Sequence, residues 1–298
     1  MFPPQRWRVA VGQIDVNLGD LASNLTRIER MCGRAGAEHC QLLVLPECAL
    51  SGYCFDSREE AHDSAVAIDS REVGLLTEWA RAHHLYLVVG LLESSSEGLF
   101  NAQLLTGPEG LIGVYRKIHL PYLGVDRFVD PGDRPFAVWQ AGPARIGLAI
   151  CYDSSFPETC RVLALQGADI IALSTNWPAA ALHTARIVPP ARSMENHLFF
   201  LAANRIGSER GFSFCGQSSI CGPDGVELAR AEHLHEALLI SECDLSAARN
   251  KQIERTKGTH LIDRFADRRP QFYGEIASLA PAFYPPRSTV HPPRAGRS

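Results

Sequence analysis

Three apolar segments each stop at a side chain suited to nucleophilic chemistry. The first, Leu42-Leu43-Val44-Leu45-Pro46, reads as a buried strand and ends at Glu47, ahead of Cys48-Ala49-Leu50-Ser51-Gly52-Tyr53. A carboxylate on a rigid strand end, partly withdrawn from water, has its pKa raised toward the range of a general base. Taken alone, a glutamate there is more often a helix N-terminal charge or half of an ion pair. The second segment is Val114-Tyr115-Arg116-Lys117-Ile118-His119-Leu120-Pro121. Strand alternation sends Val114, Arg116 and Ile118 to one face and Tyr115, Lys117 and His119 to the other. A lysine pointed into a closed site is a fixed cation for an oxyanion and a thiolate. A solvated edge-strand lysine is its commoner fate, and for His119 a structural role outweighs that of a proton shuttle.

The third segment, Ile146-Gly147-Leu148-Ala149-Ile150-Cys151-Tyr152-Asp153, is followed by Phe156-Pro157-Glu158. A cysteine that ends a buried strand just before a tight turn and a helix sits in a nucleophile-elbow position. There the backbone N–H of Tyr152 can face a developing oxyanion. Lys117 nearby predicts a depressed thiol pKa and a largely ionised Cys151, provided that the Glu47 carboxyl holds its proton or shares it with the thiol. The alternative is a buried core cysteine, the reading that suits the other eight. Cys48 is expected to turn away from Glu47 if its strand continues.

Periodicity supplies the elements that must carry these residues. Strands are predicted at Arg8–Ile14, Leu42–Pro46 and Tyr86–Glu93, and helices at Asp20–Ala37 and Ser70–His83. A hairpin follows across Asn101–Lys117 around Gly107-Pro108-Glu109-Gly110, where Pro presets φ and Gly accepts a positive one. The series then recurs. Strands Arg145–Cys151, Ala168–Ser174 and Leu198–Asn204 alternate with helices at Pro157–Gly167 and Thr184–His197, the latter interrupted by Pro189-Pro190. A second hairpin, Gly216–Cys221 with Val226–Ala231, turns on Gly222-Pro223-Asp224-Gly225. Each half runs β-α-β-α-β-β and supplies one sheet and one pair of helices. Covering both apolar sheet faces predicts a four-layer α-β-β-α sandwich of the α/β class with internal pseudo-duplication. No flexible linker divides the halves at Phe128–Ala144, so residues 1–298 read as a single domain with its core at about 8–244. Two separate α/β domains are the alternative. After a last strand at Glu236–Asp244 comes the basic and polar stretch Arg249–Arg269 and a Pro-rich end. This extension, 245–298, is expected to pack on a partner subunit or to trail into disorder.

The composition is ordinary for a globular protein, with 46% hydrophobic and 21% charged residues and a formal charge of −4. That balance gives no reason to expect nucleic acid. No apolar run approaches the roughly 20 residues of a membrane span, and Met1–Gln13 does not read as a signal peptide. Nine cysteines with no CxxC pair suggest reduced thiols and a cytoplasmic location. No histidine cluster has metal-ligand spacing, so neither metal nor cofactor is expected.

In this order, the pattern VLPE…YRKIHLP…GLAICYD resembles the nitrilase superfamily of carbon–nitrogen hydrolases, over essentially Arg8 to Asp244. The resemblance implies a Glu–Lys–Cys triad: Glu47 as general base and acid, Lys117 as oxyanion-stabilising cation and Cys151 as nucleophile. Further family-like segments are Pro131-Gly132-Asp133, Arg192-Ser193-Met194-Glu195-Asn196, Ala202-Ala203-Asn204-Arg205-Ile206-Gly207 and Asn176-Trp177-Pro178. Many members carry a second glutamate before the PGD motif. Asp126 is the candidate replacement here, one methylene shorter, with a surface ion pair to Arg127 or another loop charge as the alternative. Tyr53, Tyr152, Asn176 and Trp177 are candidate substrate-binding residues. Cys151-Tyr152-Asp153 resembles amidase-type branches rather than the Cys-Trp-Glu of true nitrilases. Ser154 and Ser155 stand where members acting on N-carbamoyl amino acids often carry arginines, which favours a neutral or cationic substrate. The expected partner is thus a small amide, carbamoyl amide or nitrile, and the family implies a homo-oligomer, at least a dimer. An acyl-transferring or non-catalytic member of the fold and a mere scaffold are the competing readings.

Overall fold

The computed structural model describes residues 5–278, which fall into two compact units, one ending at Asn250 and one starting at Lys251. In the first unit β1 (Arg6–Gln13) leads to α1 (Leu21–Ala37), whose start is fixed by the Asp20 carboxylate accepting the Ser23 N–H. Ile28, Met31, Cys32 and Ala35 of α1 are buried, the spacing of one helical face. Then come β2 (Leu42–Val44), a short α2 (Arg58–Asp63), α3 (Arg71–Ala82) capped by the Ser70 hydroxyl, β3 (Tyr86–Ser95), β4 (Gly98–Gly107) and β5 (Gly110–Arg116). Gly107 pairs with Gly110 across the expected turn.

The second half begins one strand earlier than the sequence pattern suggested. A short β6 (Val138–Ala141) forms a hairpin with β7 (Ala144–Ile150). There follow α4 (Pro157–Leu165), β8 (Ile170–Thr175), α5 (Leu182–Asn196) and β9 (Phe199–Asn204). A small hairpin, β10 (Ser208–Glu209) with β11 (Phe212–Ser213), precedes β12 (Ser219–Cys221), β13 (Glu227–Arg230), β14 (Ala237–Asp244) and α6 (Leu245–Arg249). The two large sheets run β14-β1-β2-β3-β4-β5 and β6-β7-β8-β9-β12-β13. In each, strands two to four are parallel and the outer pairings antiparallel. The duplication is therefore real but offset: the first strand of the first repeat is β14, delivered by the end of the unit.

The sheets meet face to face through β1 with β9, β3 with β8 and β4 with β7, while α1 and α3 cover one outer face and α4 and α5 the other. A polar staple crosses this interface. Gln103 Nε2 on β4 donates to Ala172 O and to Ser174 Oγ on β8, and that hydroxyl donates to Leu45 O beyond β2. Asp169 accepts from both Arg145 and Arg249, which ties the last turn of the unit to the start of β8.

Two local expectations fail for identifiable reasons. Pro189 and Pro190 do not interrupt α5, which is one helix across them. Proline strips the carbonyl four residues earlier of its donor, and Arg230 Nη1 supplies one to Ala185 O instead. The strand before Glu47 stops at Val44, because Pro46 has no N–H to continue the ladder. Lys251 onward forms a hairpin of its own, β15 (Gln252–Thr256) with β16 (His260–Asp263), so this part of the extension does not trail into disorder. The Pro-rich end from 279 lies outside the described residues.

After β2 the chain folds tightly over β3. Gly90 N–H donates to Pro46 O, and Leu50 N–H donates back to Gly90 O. A Cβ on Gly90 would stand 2.5 Å from Cys48 N and 2.6 Å from both Glu47 Cα and Pro46 O. Gly74 in α3 faces nothing within 4 Å. Gly90→Ala is expected to lower stability in urea by about 1–3 kcal/mol through overpacking. Gly74→Ala should raise it by about 0.5–1 kcal/mol through helix propensity. Equal midpoints for the two variants would contradict this account of the close approach.

Candidate active site

Lys117 and Cys151 follow directly on β5 and β7, and Glu47 comes three residues after the end of β2, so all three lie just past the C-terminal ends of strands in the facing sheets. All three side chains are withdrawn from water: Glu47 is 0%, Lys117 1% and Cys151 8% exposed. Lys117 Nζ lies 2.6 Å from Glu47 Oε1 and 2.6 Å from Asp126 Oδ2. Asp126 is in a 3₁₀ turn, Gly124–Arg127, and is fully buried. Its alternative reading as a surface partner of Arg127 is excluded, since Arg127 donates to Gly124 O and Phe55 O.

Burial alone would push the Lys117 pKa down, but the Asp126 and Glu47 carboxylates hold it well above the ordinary lysine value, so the ammonium is retained. Burial pushes Glu47 up, assisted by the Asp126 charge and opposed by Lys117. Glu47 Oε2 has no hydrogen-bond partner.

Cys151 opens a 3₁₀ turn, Cys151–Ser155, with φ of +42°, a strained elbow for a residue with a Cβ. Contrary to the sequence expectation, its thiol is not activated at rest. Burial and then the Glu47 charge raise its pKa far above the usual value, more than Lys117 lowers it. The Thr175 hydroxyl and the Asn176 backbone N–H face the sulfur and pull the other way. The Thr175 hydroxyl makes no hydrogen bond that meets normal geometry. With both carboxylates on its ammonium, Lys117 has little field left for the sulfur.

Asp153 locks the elbow to the lysine strand. Its carboxylate accepts from Tyr115 OH at 2.8 Å, Ile150 N–H at 2.9 Å and His119 N–H at 3.2 Å, and pairs with His119 Nδ1 at 2.8 Å. His119 is thus held by Asp153 and stacked on Phe156 at 3.9 Å, a structural placement. Arg192 Nε donates to Ser154 O, and Ser154 Oγ to Cys151 O. Gly132 lies so close to the lysine strand that a Cβ would be 2.2 Å from Arg116 O, and Asp133 pairs with Arg116, which accounts for the Pro131-Gly132-Asp133 segment.

The candidate substrate-binding residues divide. Asn176 is 1% exposed, and neither atom of its side-chain amide has a partner. Trp177 is also buried, its backbone N–H fixed on Asn204 Oδ1. Tyr152 is half-buried with its ring edge-on to Phe156. Tyr53 differs from expectation: its hydroxyl is committed to Asp126 Oδ2 at 2.7 Å and Leu123 O, so it braces the carboxylate instead of facing a ligand. Gly124 permits this, since a Cβ there would be 2.3 Å from the Tyr53 ring.

Several contributors escaped the sequence reading. Asn101 on β4 donates from Nδ2 to Glu47 Oε1 and to Asp126 Oδ1. The only hint was an amide pair, Asn101 and Gln103, at alternate positions of an otherwise apolar strand. Cys48 does not turn away; at φ of +48° its thiol reaches Asn101 Oδ1 at 3.6 Å. Glu209 accepts the N–H groups of Tyr53 and Cys54 and is itself paired with the fully buried Arg205.

A two-sheet α/β sandwich with a buried carboxylate–ammonium–thiol cluster at its strand ends places the chain in a defined class of enzymes. Residues 8–252 match the carbon-nitrogen hydrolase family model, and the chain belongs to that family of enzymes, which act on non-peptide carbon–nitrogen bonds. Among its relatives is a protein named nitrilase from Pyrococcus abyssi, 37% identical over 89% of this chain and 98% of the relative. Another is an N-carbamoylputrescine amidase from Arabidopsis thaliana, 29% identical over 87% of this chain and 92% of that one. A similar solved structure is a mutant of the amidase from Nesterenkonia sp. AN1 with the acetamide moiety of fluoroacetamide covalently added at the active-site cysteine. It has a TM-score of 0.73 and 26% identity, and covers 90% of this chain and 95% of its own.

Asp126→Asn keeps the shape of the side chain but removes one of the two charges on a buried ammonium. A loss of about 3 kcal/mol in urea unfolding is expected, as for breaking a buried pair. An effect below about 1 kcal/mol, as for an exposed pair, would contradict the buried role.

Proposed function

We propose that this chain hydrolyses a small neutral or cationic amide or carbamoyl amide through a thioester on Cys151. The observation that carries the reading is the sealed Glu47–Lys117–Asp126 cluster, whose one unpartnered carboxylate oxygen belongs to Glu47, in the field of the Cys151 thiol.

Because the resting thiol is neutral, attack and deprotonation go together. Cys151 Sγ bonds to the carbonyl carbon as its proton passes to Glu47 Oε2, and the carbonyl oxygen becomes an oxyanion beside the Lys117 ammonium. As the tetrahedral adduct collapses, the C–N bond breaks and Glu47 returns the proton to the departing ammonia or amine. Water then adds to the thioester, giving its proton to Glu47. The acid leaves and the thiol is restored with that proton. Asn176, with an unpartnered donor and acceptor in a buried site, offers hydrogen bonds to the non-reacting part of the substrate. The covalent adduct named for the Nesterenkonia amidase supports cysteine as the nucleophile.

Charge supports the substrate class. Two carboxylates against one ammonium disfavour a third carboxylate in the site. Ser154 and Ser155 supply no arginine, and Arg192 is engaged with their backbone carbonyls. A nitrile is the second candidate, favoured by the name of the Pyrococcus relative.

Ammonia release from a panel of amides, ureides and matched nitriles, each in neutral, cationic and carboxylate-bearing forms, tests the reading. Turnover of neutral or cationic amides or ureides is expected. Cys151→Ala and Lys117→Arg should each lower it by at least about 100-fold, because the planar guanidinium cannot occupy the place of a compact ammonium. Turnover by Lys117→Arg within about tenfold of wild type, on the same general scale, would remove the lysine from the mechanism. Hydrolysis confined to carboxylate-bearing substrates would overturn the charge argument.

A further inference from the structure

The oxygens of the two buried carboxylates can be accounted for one by one. Glu47 Oε1 accepts from Lys117 Nζ at 2.6 Å and Asn101 Nδ2 at 2.8 Å. Asp126 Oδ2 accepts from Lys117 Nζ at 2.6 Å and Tyr53 OH at 2.7 Å, and Asp126 Oδ1 from Asn101 Nδ2 at 2.9 Å. Only Glu47 Oε2 is left without a partner. Among the described residues Asn101 is the one neutral group that serves both carboxylates, and it is fully buried. Its own backbone carbonyl accepts the Lys117 N–H at 2.8 Å, so strand pairing fixes its distance from the ammonium.

We propose that Asn101 is a positioning residue that keeps Glu47 ready to accept a proton by donating to Glu47 and Asp126 at once, with the Cys48 thiol fixing the amide in that orientation. This rests on the reading of Glu47 as the base. Two carboxylates sharing one cation in a dry site tend to hold a proton between them, which would leave Glu47 unable to take one from Cys151. A carboxamide supplies two N–H donors and no transferable proton, so it stabilises both ionised forms without becoming part of the proton exchange. The amide must present its nitrogen, since a flip would set Oδ1 against two carboxylates. Oδ1 then faces away, and the Cys48 thiol is the donor that meets it at 3.6 Å. Burial, followed by the Glu47 charge, pushes the Cys48 thiol well above the usual cysteine range. It therefore stays protonated and can act as that donor.

The titratable groups around Glu47 are Lys117, Asp126, Cys48, Cys151 and Tyr53. Of these, the Tyr53, Cys48 and Cys151 protons are held by burial, each group being pushed well up. Loss of Asn101 must then show in Glu47, whose pKa the Asn101 hydrogen bond lowers. Removing a donor to the ionised form raises the carboxylate pKa, so any reaction that needs ionised Glu47 loses rate at a higher pH than before.

The test follows the second-order rate of Cys151 alkylation by iodoacetamide against pH, with intact mass and peptide mapping as readouts. Asn101→Ala should move the acid limb up by about one pH unit, and Asn101→Asp, which adds a third carboxylate, by more. Cys48→Ala should shift it the same way by a smaller amount, while Cys48→Ser, which keeps an O–H donor, should restore the wild-type limb. A lower plateau with an unshifted limb in Asn101→Ala would overturn the proposal, because a merely structural role predicts that pattern. If Asn101→Ala does not fold, the Cys48 pair decides, and identical profiles for Cys48→Ala and Cys48→Ser overturn it. An acid limb that persists unchanged in Glu47→Gln would instead mean that Glu47 is not the base, a separate failure.

Discussion

A lysine ammonium sealed between two carboxylates sets the terms for the rest of this molecule. Moving three charges out of water costs several kcal/mol per ion, and their mutual attraction offsets this only when geometry and remaining hydrogen bonds are nearly complete. Completeness is what the surrounding fold provides. Tyr53 adds a second donor to the Asp126 oxygen that faces the ammonium, Asn101 satisfies the other oxygen, and Gly124 makes room for the Tyr53 ring. Gly90 lets the Glu47 turn lie on β3, and Gly132 lets the chain close over the lysine strand. Arg205 and Glu209 then pin the backbone at Tyr53 and Cys54. Each of these is a local concession of shape or polarity that brings the buried charges together or encloses them.

The same constraint governs the sulfur. In a site where a cation stands alone beside a thiol, the thiolate is favoured. Here the cation is already shared by two carboxylates, the Glu47 charge opposes ionisation and burial opposes it further. The thiol rests neutral, and the account of catalysis passes from a preformed thiolate to a base-assisted attack. The free oxygen of Glu47 and the strained φ at Cys151 fit that account, since both hold a reactive group in a position the fold over-determines.

How much of this was legible in the sequence follows from the range of the interactions involved. The apolar runs before Glu47 and Cys151 and the alternating strand before Lys117 are local signals, and they place the three groups past the strand ends of the facing sheets. The two GP(E/D)G turns likewise betray the repeat. Asn101 meets Glu47 across 54 positions and Glu209 meets Tyr53 across 156, so no local pattern announces either. β6 was missed because four residues carry too little alternation to read as a strand. The orientation of Cys48 was missed because the strand it was assumed to extend stops at Val44. The proline pair in α5 misled for the opposite reason: the local rule is sound, but Arg230 donates to the Ala185 carbonyl, 45 positions away, that Pro189 leaves open.

The protonation state of Cys151 at rest bears most directly on this account. It is read from the ultraviolet thiolate absorbance of wild type minus that of Cys151→Ala, followed across pH in the absence of substrate. The structure predicts no difference signal from neutrality through the ordinary thiol range near pH 8.5, because the proton stays on sulfur until a substrate draws it to Glu47. A full thiolate signal already present at neutral pH would mean that Lys117 is ion-paired to the sulfur rather than held between Glu47 and Asp126, and would contradict the account at its centre.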